Sequence, residues 1–147
     1  RRKILCAEVH DDNAFAMGGV AGHAGIFSTA LDVHLLASQL LDCWHGRGRV
    51  VSKDVIRHFW TRDGMVPDST WALGWDTPSA QGSMAGKHFS PQAVGHLAYT
   101  GCSLWLEPEK EIDVVLLTNR IHPTVENNAI REFRPLIHDL VMETLGA

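Results

Sequence analysis

The sequence predicts an α+β fold in which helices flank an antiparallel sheet of about three strands. Apolar residues recur at helical spacing over 29–45, 52–60 and 124–145. Two short apolar runs separated by a turn at 107–111 indicate a β-hairpin. Because the hairpin follows two helices and precedes a third, the order is typical of an antiparallel sheet covered by helices.

Length and composition indicate one globular domain, and we expect that domain to span residues 1–147. Hydrophobic residues make up 45% of the chain and charged residues 20%, as in ordinary soluble domains. The formal net charge is −4 and there is no basic run, so we expect no nucleic-acid partner. The sequence has no apolar run of membrane length and no signal-peptide pattern, so we expect no membrane partner.

The chain begins Arg1-Arg2-Lys3 without methionine, which is typical of a piece of a longer protein or of a processed product, and its compartment stays open. Its cysteines, Cys6, Cys43 and Cys102, are spaced too widely for a disulfide framework or a metal motif. The nine histidines are scattered, and none forms the i, i+4 pair of a zinc protease helix. We therefore expect no metal and no cofactor.

The first 27 residues are predicted to be irregular, because glycine occupies four of the eight positions of segment 18–25. This segment lacks the lysine of a phosphate loop and the spacing of a dinucleotide fingerprint, which excludes nucleotide binding. Thr29, with Asp32 after it, is predicted to cap the first helix, and Ser52 a shorter second one. Their predicted inward-facing residues are Val33, Leu36, Ala37, Leu40, Leu41, Trp44, Val55, Ile56, Phe59 and Trp60.

Three strands are predicted after these helices. Trp71, Leu73 and Trp75 alternate with small residues, which indicates the first strand. A small-residue turn then leads into a buried strand within 95–105, and a further strand follows over 112–119.

A last helix is predicted to begin at a Thr124 cap and to end at about Leu145. Pro135 lies inside it and predicts a kink. The apolar stripe expected to be buried is formed by Ile130, Phe133, Ile137, Leu140, Val141 and Leu145.

Serine-nucleophile motifs are missing, since the sequence contains neither G-x-S-x-G nor S-x-x-K. Four segments nevertheless resemble, in the same order along the chain, bacterial serine hydrolases of the beta-lactamase family. The similarity is to the branch of class C beta-lactamases, penicillin-binding proteins and related esterases. The segments are 9–30, 72–77, 95–105 and 114–123.

The resemblance implies the C-terminal part of a beta-lactamase/transpeptidase-like fold, and acyl transfer on beta-lactam, peptide or ester substrates. The family uses S-x-x-K, which carries the nucleophile, then Tyr-x-Asn or Ser-x-Asn, then Lys-Thr-Gly or His-Thr-Gly on a strand lining the cleft. Only the third motif has a counterpart, at His96-Leu97-Ala98. The first two belong N-terminal to everything in this sequence.

By this resemblance His96 orients a substrate carboxylate or joins a proton relay, and the backbone N–H of Tyr99 is one oxyanion donor. Leu97 stands where the family has threonine and removes a hydroxyl. Ala98 stands where the family has glycine and adds a methyl group beside the substrate. The alternative is that His96 is a strand-edge histidine and its neighbours are packing residues.

The resemblance also points to residues outside this motif. His23 and Ala24 are candidate substrate-edge residues, because the glycine-rich loop runs along the family's cleft. Thr124 and Asn127 fall where relatives contact a substrate carboxylate, and a helix N-terminus suits an anion. The alternative for Thr124 is that it only caps its helix.

Two hypotheses follow. In the first, the chain is a fragment of a serine hydrolase that is inactive alone because it lacks the nucleophile. In the second, it is a non-catalytic binding or assembly module, either a homodimer or the complement of a missing N-terminal half. The second is motivated by the bare sheet edge or apolar face that the absence of the N-terminal strands would leave.

Overall fold

The computed structural model describes residue 1 and residues 3–147, and within them it has four helices and a three-stranded antiparallel sheet. The α+β class and the antiparallel sheet predicted above are confirmed. The elements are α1 Asp12–Ala16, α2 Ala30–His45, α3 Lys53–Phe59, β1 Val94–Leu97, β2 Ser103–Glu107, β3 Ile112–Leu116 and α4 Ile130–Thr144.

The sheet has the order β1-β2-β3, and each of its faces carries one hydrophobic cluster. Val94 lies opposite Leu106, and both pack against α2 and α3. Trp105 lies opposite Val114 on the other face, and both pack with Met142 of α4. The side chains of successive strand residues point to opposite faces, so the sheet separates α2 and α3 from α4.

Both early helices begin where the sequence predicts. The Thr29 hydroxyl accepts a hydrogen bond from the Asp32 N–H (3.2 Å), and the Ser52 hydroxyl accepts one from the Val55 N–H (3.3 Å). Each side chain satisfies a donor that the first turn of a helix leaves free. The predicted burial is confirmed for Ala37, Leu41, Ile56 and Trp60 and is wrong for Leu36, Val55 and Phe59, which are exposed.

The predicted strand at 71–75 is wrong. Gly74 adopts a positive φ of 76°, and the chain turns back so that the Ala72 N–H donates to the Trp75 carbonyl (2.8 Å). Only Asp76 reaches the sheet, where it exchanges two backbone hydrogen bonds with Gly95 of β1 (both 2.8 Å). The third strand is instead β1, which contains His96.

The last helix begins at Ile130, and the predicted start at Thr124 is wrong. The Thr124 hydroxyl accepts from the Glu126 N–H (3.3 Å), and the Asn127 side-chain oxygen accepts from the Ala129 N–H (3.0 Å). Short polar side chains that bond nearby backbone in this way compete with helix formation. The segment 124–129 is therefore a turn.

The predicted buried stripe of α4 is also wrong in part, because Phe133, Leu140 and Leu145 are exposed. The helix packs on the sheet through a different face, formed by Arg134, His138 and Met142. Arg134 and His138 are polar, but each is hydrogen-bonded inside the protein, which makes their burial tolerable.

The irregular first 27 residues contain one short helix that the sequence does not predict. The Asp11 carboxylate caps α1 by accepting from the Ala14 N–H (2.7 Å), and Ala14 is buried. Cys43 is buried on α2. Among the described residues, no helix is both long and apolar enough to cross a membrane.

Candidate functional site

His96 is exposed near the end of β1, on the short sheet edge that Asp76 borders. Its imidazole forms no hydrogen bond with another described residue. An exposed Trp71 ring stands edge-on to it, with 5.4 Å between ring centroids and 68° between ring planes. The side chain is therefore open to a ligand on one side and bordered by an aromatic ring on another.

The turn after β1 places the Tyr99 N–H at the surface. The Ala98 N–H donates to the Cys102 carbonyl (2.8 Å), and the Gly101 N–H donates to the Ala98 carbonyl (3.0 Å). Gly101 has a φ of 117°, and a side chain there would collide with Thr118. Within the described residues the Tyr99 N–H donates no hydrogen bond, so it stays available to an acceptor outside the chain.

Two arginines fix the shape of this turn. Arg134 donates from Nη2 to the carbonyls of Ala98 (2.7 Å) and Cys102 (2.9 Å), and from Nε to that of Gly101 (3.1 Å). Arg120 donates from Nε to the Tyr99 carbonyl (2.7 Å), and its guanidinium lies 4.3 Å from the centroid of the Tyr99 ring. Carbonyl dipoles therefore stabilise both guanidinium charges, and the face of the Tyr99 ring also stabilises that of Arg120.

A cleft of about 250 Å³ opens between this turn and the start of α4. Its lining includes three arginines, Arg120, Arg131 and Arg134, and no aspartate or glutamate. Its other lining residues are Leu97, Ala98, Tyr99, Asn128 and Ile130.

The charges in this cleft are not neutralised by the chain itself. None of the three arginines forms a salt bridge within residue 1 and residues 3–147. Arg134 is only 6% exposed, and burial lowers the pKa of its guanidinium, with the positive charge of Arg120 acting in the same direction. Arginine stays protonated in proteins, so the cleft remains positive and favours an anion.

The start of α4 adds to this preference. Its N-cap residue, Ala129, offers no side-chain cap, and Asn128 and Arg131 flank it at the cleft. A helix N-terminus carries a partial positive charge, which favours an anion, although the Arg131 and Glu132 N–H groups already donate to the carbonyls of Asn128 (3.0 Å) and Ala129 (3.1 Å).

The structure brings only some of the predicted site residues together. Leu97, Ala98 and Tyr99 line the small cleft, and His96 precedes them on β1. Neither Thr124 nor Asn127 lines it, although the Asn127 backbone carbonyl accepts a hydrogen bond from Arg120 (3.1 Å). Their predicted roles at the substrate are not tested by the positions alone.

His23 and Ala24 lie outside the cleft. The His23 Nε2 atom is 2.9 Å from the Asp11 carboxylate, which also caps α1. The neighbouring His10 stacks on Tyr99 with 6.1 Å between ring centroids. The glycine-rich loop thus contacts Asp11, and the preceding residue, His10, contacts Tyr99 in the turn after β1.

The three arginines were missed in the sequence. Arg134 sits at a position whose helical neighbours, His138 and Met142, are buried, and a charged residue there requires internal partners. An arginine at the helical spacing of two buried residues could have indicated this cleft in the sequence. That spacing is recognisable only once the packed face of α4 is known.

A larger cleft of about 870 Å³ is lined by Trp44, Trp60 and Arg62 among others, and it contains none of the predicted site residues. No group of three metal-ligating side chains occurs in the described part of the chain.

The Ser103 hydroxyl meets the His138 Nε2 atom at 3.0 Å, as in a nucleophile–base pair, but both residues are buried. A nucleophile must be reached by its substrate. This pair therefore has a packing role.

Comparison with known proteins gives consistent results. The sequence model of a family described as Beta-lactamase matches residues 4–138. Over 128 residues the chain is 35% identical to a protein from Bacillus subtilis (strain 168) named N-acetylmuramyl-L-alanine amidase, covering 85% of this chain and 29% of that protein. Over 130 residues it is 33% identical to a protein from Escherichia coli (strain K12) that is provisionally named D-alanyl-D-alanine carboxypeptidase. That match covers 85% of this chain and 29% of the Escherichia coli protein.

A solved structure has the same fold. The crystal structure of a beta-lactamase from Mycobacterium bovis superposes with a TM-score of 0.68 at 22% identity, covering 82% of this chain and 46% of that one. The chain spans only 29% of the length of each of the two curated relatives named above.

Proposed function

Since the chain belongs to the beta-lactamase family, we propose that it supplies one wall of a serine acyl-transfer site, binds the carboxylate of the substrate there, and has no nucleophile of its own. The observation that carries this proposal is the cleft, which is lined by three arginines and by no aspartate or glutamate. It lies next to the Tyr99 N–H, which donates no hydrogen bond within the described residues, and close to the exposed His96.

Each residue has a defined role in this proposal. Arg131 and its neighbours in the cleft hold the substrate carboxylate by charge-assisted hydrogen bonds. The Tyr99 N–H donates to the oxyanion that forms when a nucleophile adds to the substrate carbonyl. His96 exchanges a proton with the leaving group or the attacking water, a role that imidazole commonly takes in catalysis.

The substrate class follows from the cleft. A peptide that ends in a free carboxylate, or a beta-lactam bearing one, offers the anion that three guanidinium groups favour. The provisional name of the Escherichia coli relative, D-alanyl-D-alanine carboxypeptidase, supports a peptide of this kind. Leu97 and Ala98, which line the cleft, are bulkier than the threonine and glycine that the family resemblance implies at these positions.

Binding is tested by titrating the purified chain with N-acetyl-D-alanyl-D-alanine and with its C-terminal amide, followed by NMR. We expect the acid, and not the amide, to shift the Tyr99 and Arg131 amide signals. Arg131→Ala should raise the Kd for the acid by about fivefold to tenfold, since one charge-assisted contact is lost.

Arg49→Ala is the matched control, because Arg49 is an exposed arginine that lies away from the cleft. It follows α2, and the end of α2 is joined to the β2–β3 turn by the hydrogen bond between His45 and the Pro108 carbonyl (2.9 Å). That turn lies at the opposite end of β2 from the cleft. Equal affinity for acid and amide would contradict the proposal.

Catalysis is tested with a chromogenic cephalosporin and a short-chain p-nitrophenyl ester. We expect no turnover by the purified chain, because a site without a nucleophile retains only positioning and dipole effects. Turnover that a serine-directed covalent inhibitor abolishes would refute the absence of a nucleophile.

A further inference from the structure

Trp71 differs from the other tryptophans of this chain in its exposure. Of the five tryptophans, all of which the structure describes, only Trp71 is exposed, and its exposed fraction is 48%. Trp60 and Trp105 are buried, and Trp44 and Trp75 pack against the cluster that contains Trp60. Tryptophan carries a large apolar surface that proteins usually bury, so an open ring beside a candidate site indicates a contact with a ligand.

The turn that carries Trp71 is fixed by backbone hydrogen bonds. The Ala72 N–H donates to the Trp75 carbonyl (2.8 Å), which closes the turn. Asp76, which is bridged to Trp71, exchanges two backbone hydrogen bonds with Gly95 of β1 (both 2.8 Å). The backbone at Trp71 is therefore ordered before a ligand arrives, and the side chain has only two rotatable bonds. A contact with this ring thus costs little conformational entropy.

The Trp71 ring borders His96 and lies outside the arginine-lined cleft. The centroids of the Trp71 and His96 rings are 5.4 Å apart, whereas Trp71 is not among the residues that line the cleft. Successive residues of a strand point to opposite faces, so the side chains of His96 and Leu97 lie on different faces of β1. Because Leu97 lines the cleft, Trp71 and His96 border a separate part of the site.

The proposed function gives the substrate a direction across this site. Its carboxylate lies in the arginine-lined cleft, and the carbonyl that is attacked lies at the Tyr99 N–H. The group between these two points is the leaving group, so the acyl group extends from the carbonyl away from the cleft. Within the described residues, Trp71 is the one aromatic side chain whose ring contacts His96. An acyl group that passes His96 therefore meets the Trp71 ring.

We propose that Trp71 is a specificity-determining residue, whose ring contacts the acyl group of the substrate and favours acyl groups that carry an aromatic ring. This inference rests on the proposed function, because the direction of the substrate follows from the binding of its carboxylate. Aromatic rings attract one another in offset-stacked or edge-to-face arrangements and bury a large apolar area. A short acyl group such as acetyl offers no ring for this contact.

The test compares two peptides that differ only in the acyl group, N-phenylacetyl-D-alanyl-D-alanine and N-acetyl-D-alanyl-D-alanine. Each is titrated into the purified chain, and binding is followed by NMR through the indole N–H signal of Trp71. Trp71→Phe identifies that signal, because the variant lacks it. We expect the phenylacetyl peptide to bind about fivefold to tenfold more tightly and to shift the indole signal further.

Three variants assign the preference to this ring. Trp71→Ala should abolish it, so that the two peptides bind with equal Kd, measured through the Arg131 amide signal. Trp71→Phe should retain part of it, because a smaller ring remains. Phe133→Ala is the matched control and should retain all of it, since Phe133 is 46% exposed but lies on α4 and does not line the cleft. Circular dichroism should show that all three variants fold as the parent does.

The C-terminal amides of the two peptides separate this inference from the proposed function. They lack the carboxylate, so the proposed function predicts that they bind more weakly than the acids. The phenylacetyl amide should nevertheless shift the Trp71 indole signal. If that signal responds to both phenylacetyl compounds while acid and amide bind equally well, the result counts against the proposed function alone.

Three results would overturn the role of Trp71. The first is an equal Kd of the parent chain for the phenylacetyl and acetyl peptides. The second is a preference for the phenylacetyl peptide that Trp71→Ala leaves intact. The third is a Trp71 indole signal that responds to neither phenylacetyl compound.

Discussion

His138 is the residue whose environment is most defined by its neighbours. Its Nδ1 atom is 2.9 Å from the Met84 carbonyl, which can only accept, so Nδ1 carries the proton. Nε2 then accepts from the Ser103 hydroxyl. Burial lowers the pKa of this imidazole, and the backbone hydrogen bond to Met84 opposes the shift.

This environment predicts a loss of stability on acidification. The neutral form of His138 is favoured in the folded state, whereas a histidine in the unfolded chain titrates at about pH 6.5. The contribution of neutral His138 to the free energy of unfolding is therefore complete above that pH. It is lost as the pH falls below that value toward the lower pKa that His138 has in the folded state. The slope from this one proton is at most about 1.4 kcal/mol per pH unit.

The measurement is the free energy of unfolding in urea at several pH values between 7.5 and 5. His138→Gln, which cannot titrate, should be less stable at pH 7.5 but should show a shallower decline. Parallel profiles for the two proteins would show that His138 does not cause the decline.

At the scale of elements, periodicity located the helices better than it located their contacts. The caps at Thr29 and Ser52 were predictable because a hydroxyl side chain and the N–H groups it binds lie within one turn. The face that α4 packs against the sheet was not predictable in this way. Hydrogen bonds from Arg134 to the β1–β2 turn and from His138 to Met84 determine that face. These partners are distant in sequence.

The same limit applies to the site. The resemblance located the stretch from His96 to Tyr99, because that stretch is contiguous. The arginine cleft combines residues from β1, the segment after β3, and α4, so no local pattern defines it. The strand expected at 71–75 failed because alternation does not distinguish a strand from a tight turn at Gly74.

The packing of α4 predicts unequal effects of two apolar truncations. Met142→Ala should cost about 2–5 kcal/mol in the free energy of unfolding, because the side chain is fully buried against Trp105 and Val114. Leu136→Ala should change it by less than about 0.5 kcal/mol in the isolated chain. Urea unfolding of both variants measures the difference, and equal costs would mean that α4 packs through its apolar stripe.

For the whole molecule, the sheet joins the two hydrophobic clusters. Leu106 belongs to one and Trp105 to the other, and these adjacent residues of β2 leave no boundary between the clusters. The chain should therefore unfold as one cooperative unit, as small single domains do.

The prediction of one unit is checked in the Trp105→Phe protein, whose remaining tryptophans, among them Trp44, Trp60 and Trp75 of the other cluster, all lie outside the cluster of Trp105. The change in tryptophan fluorescence and the change in far-ultraviolet circular dichroism should share one midpoint of urea in this protein. Separate midpoints would indicate that the two faces of the sheet unfold independently.

The arginine cleft has a consequence for the conditions under which an anion binds. Because its charges come from Arg120, Arg131 and Arg134 and not from histidine, they persist across the whole physiological pH range. Dissolved ions weaken such attraction, since screening acts over about 8 Å at physiological ionic strength. In the proposed function, salt concentration, more than acidity, therefore sets the affinity of this cleft for a substrate carboxylate.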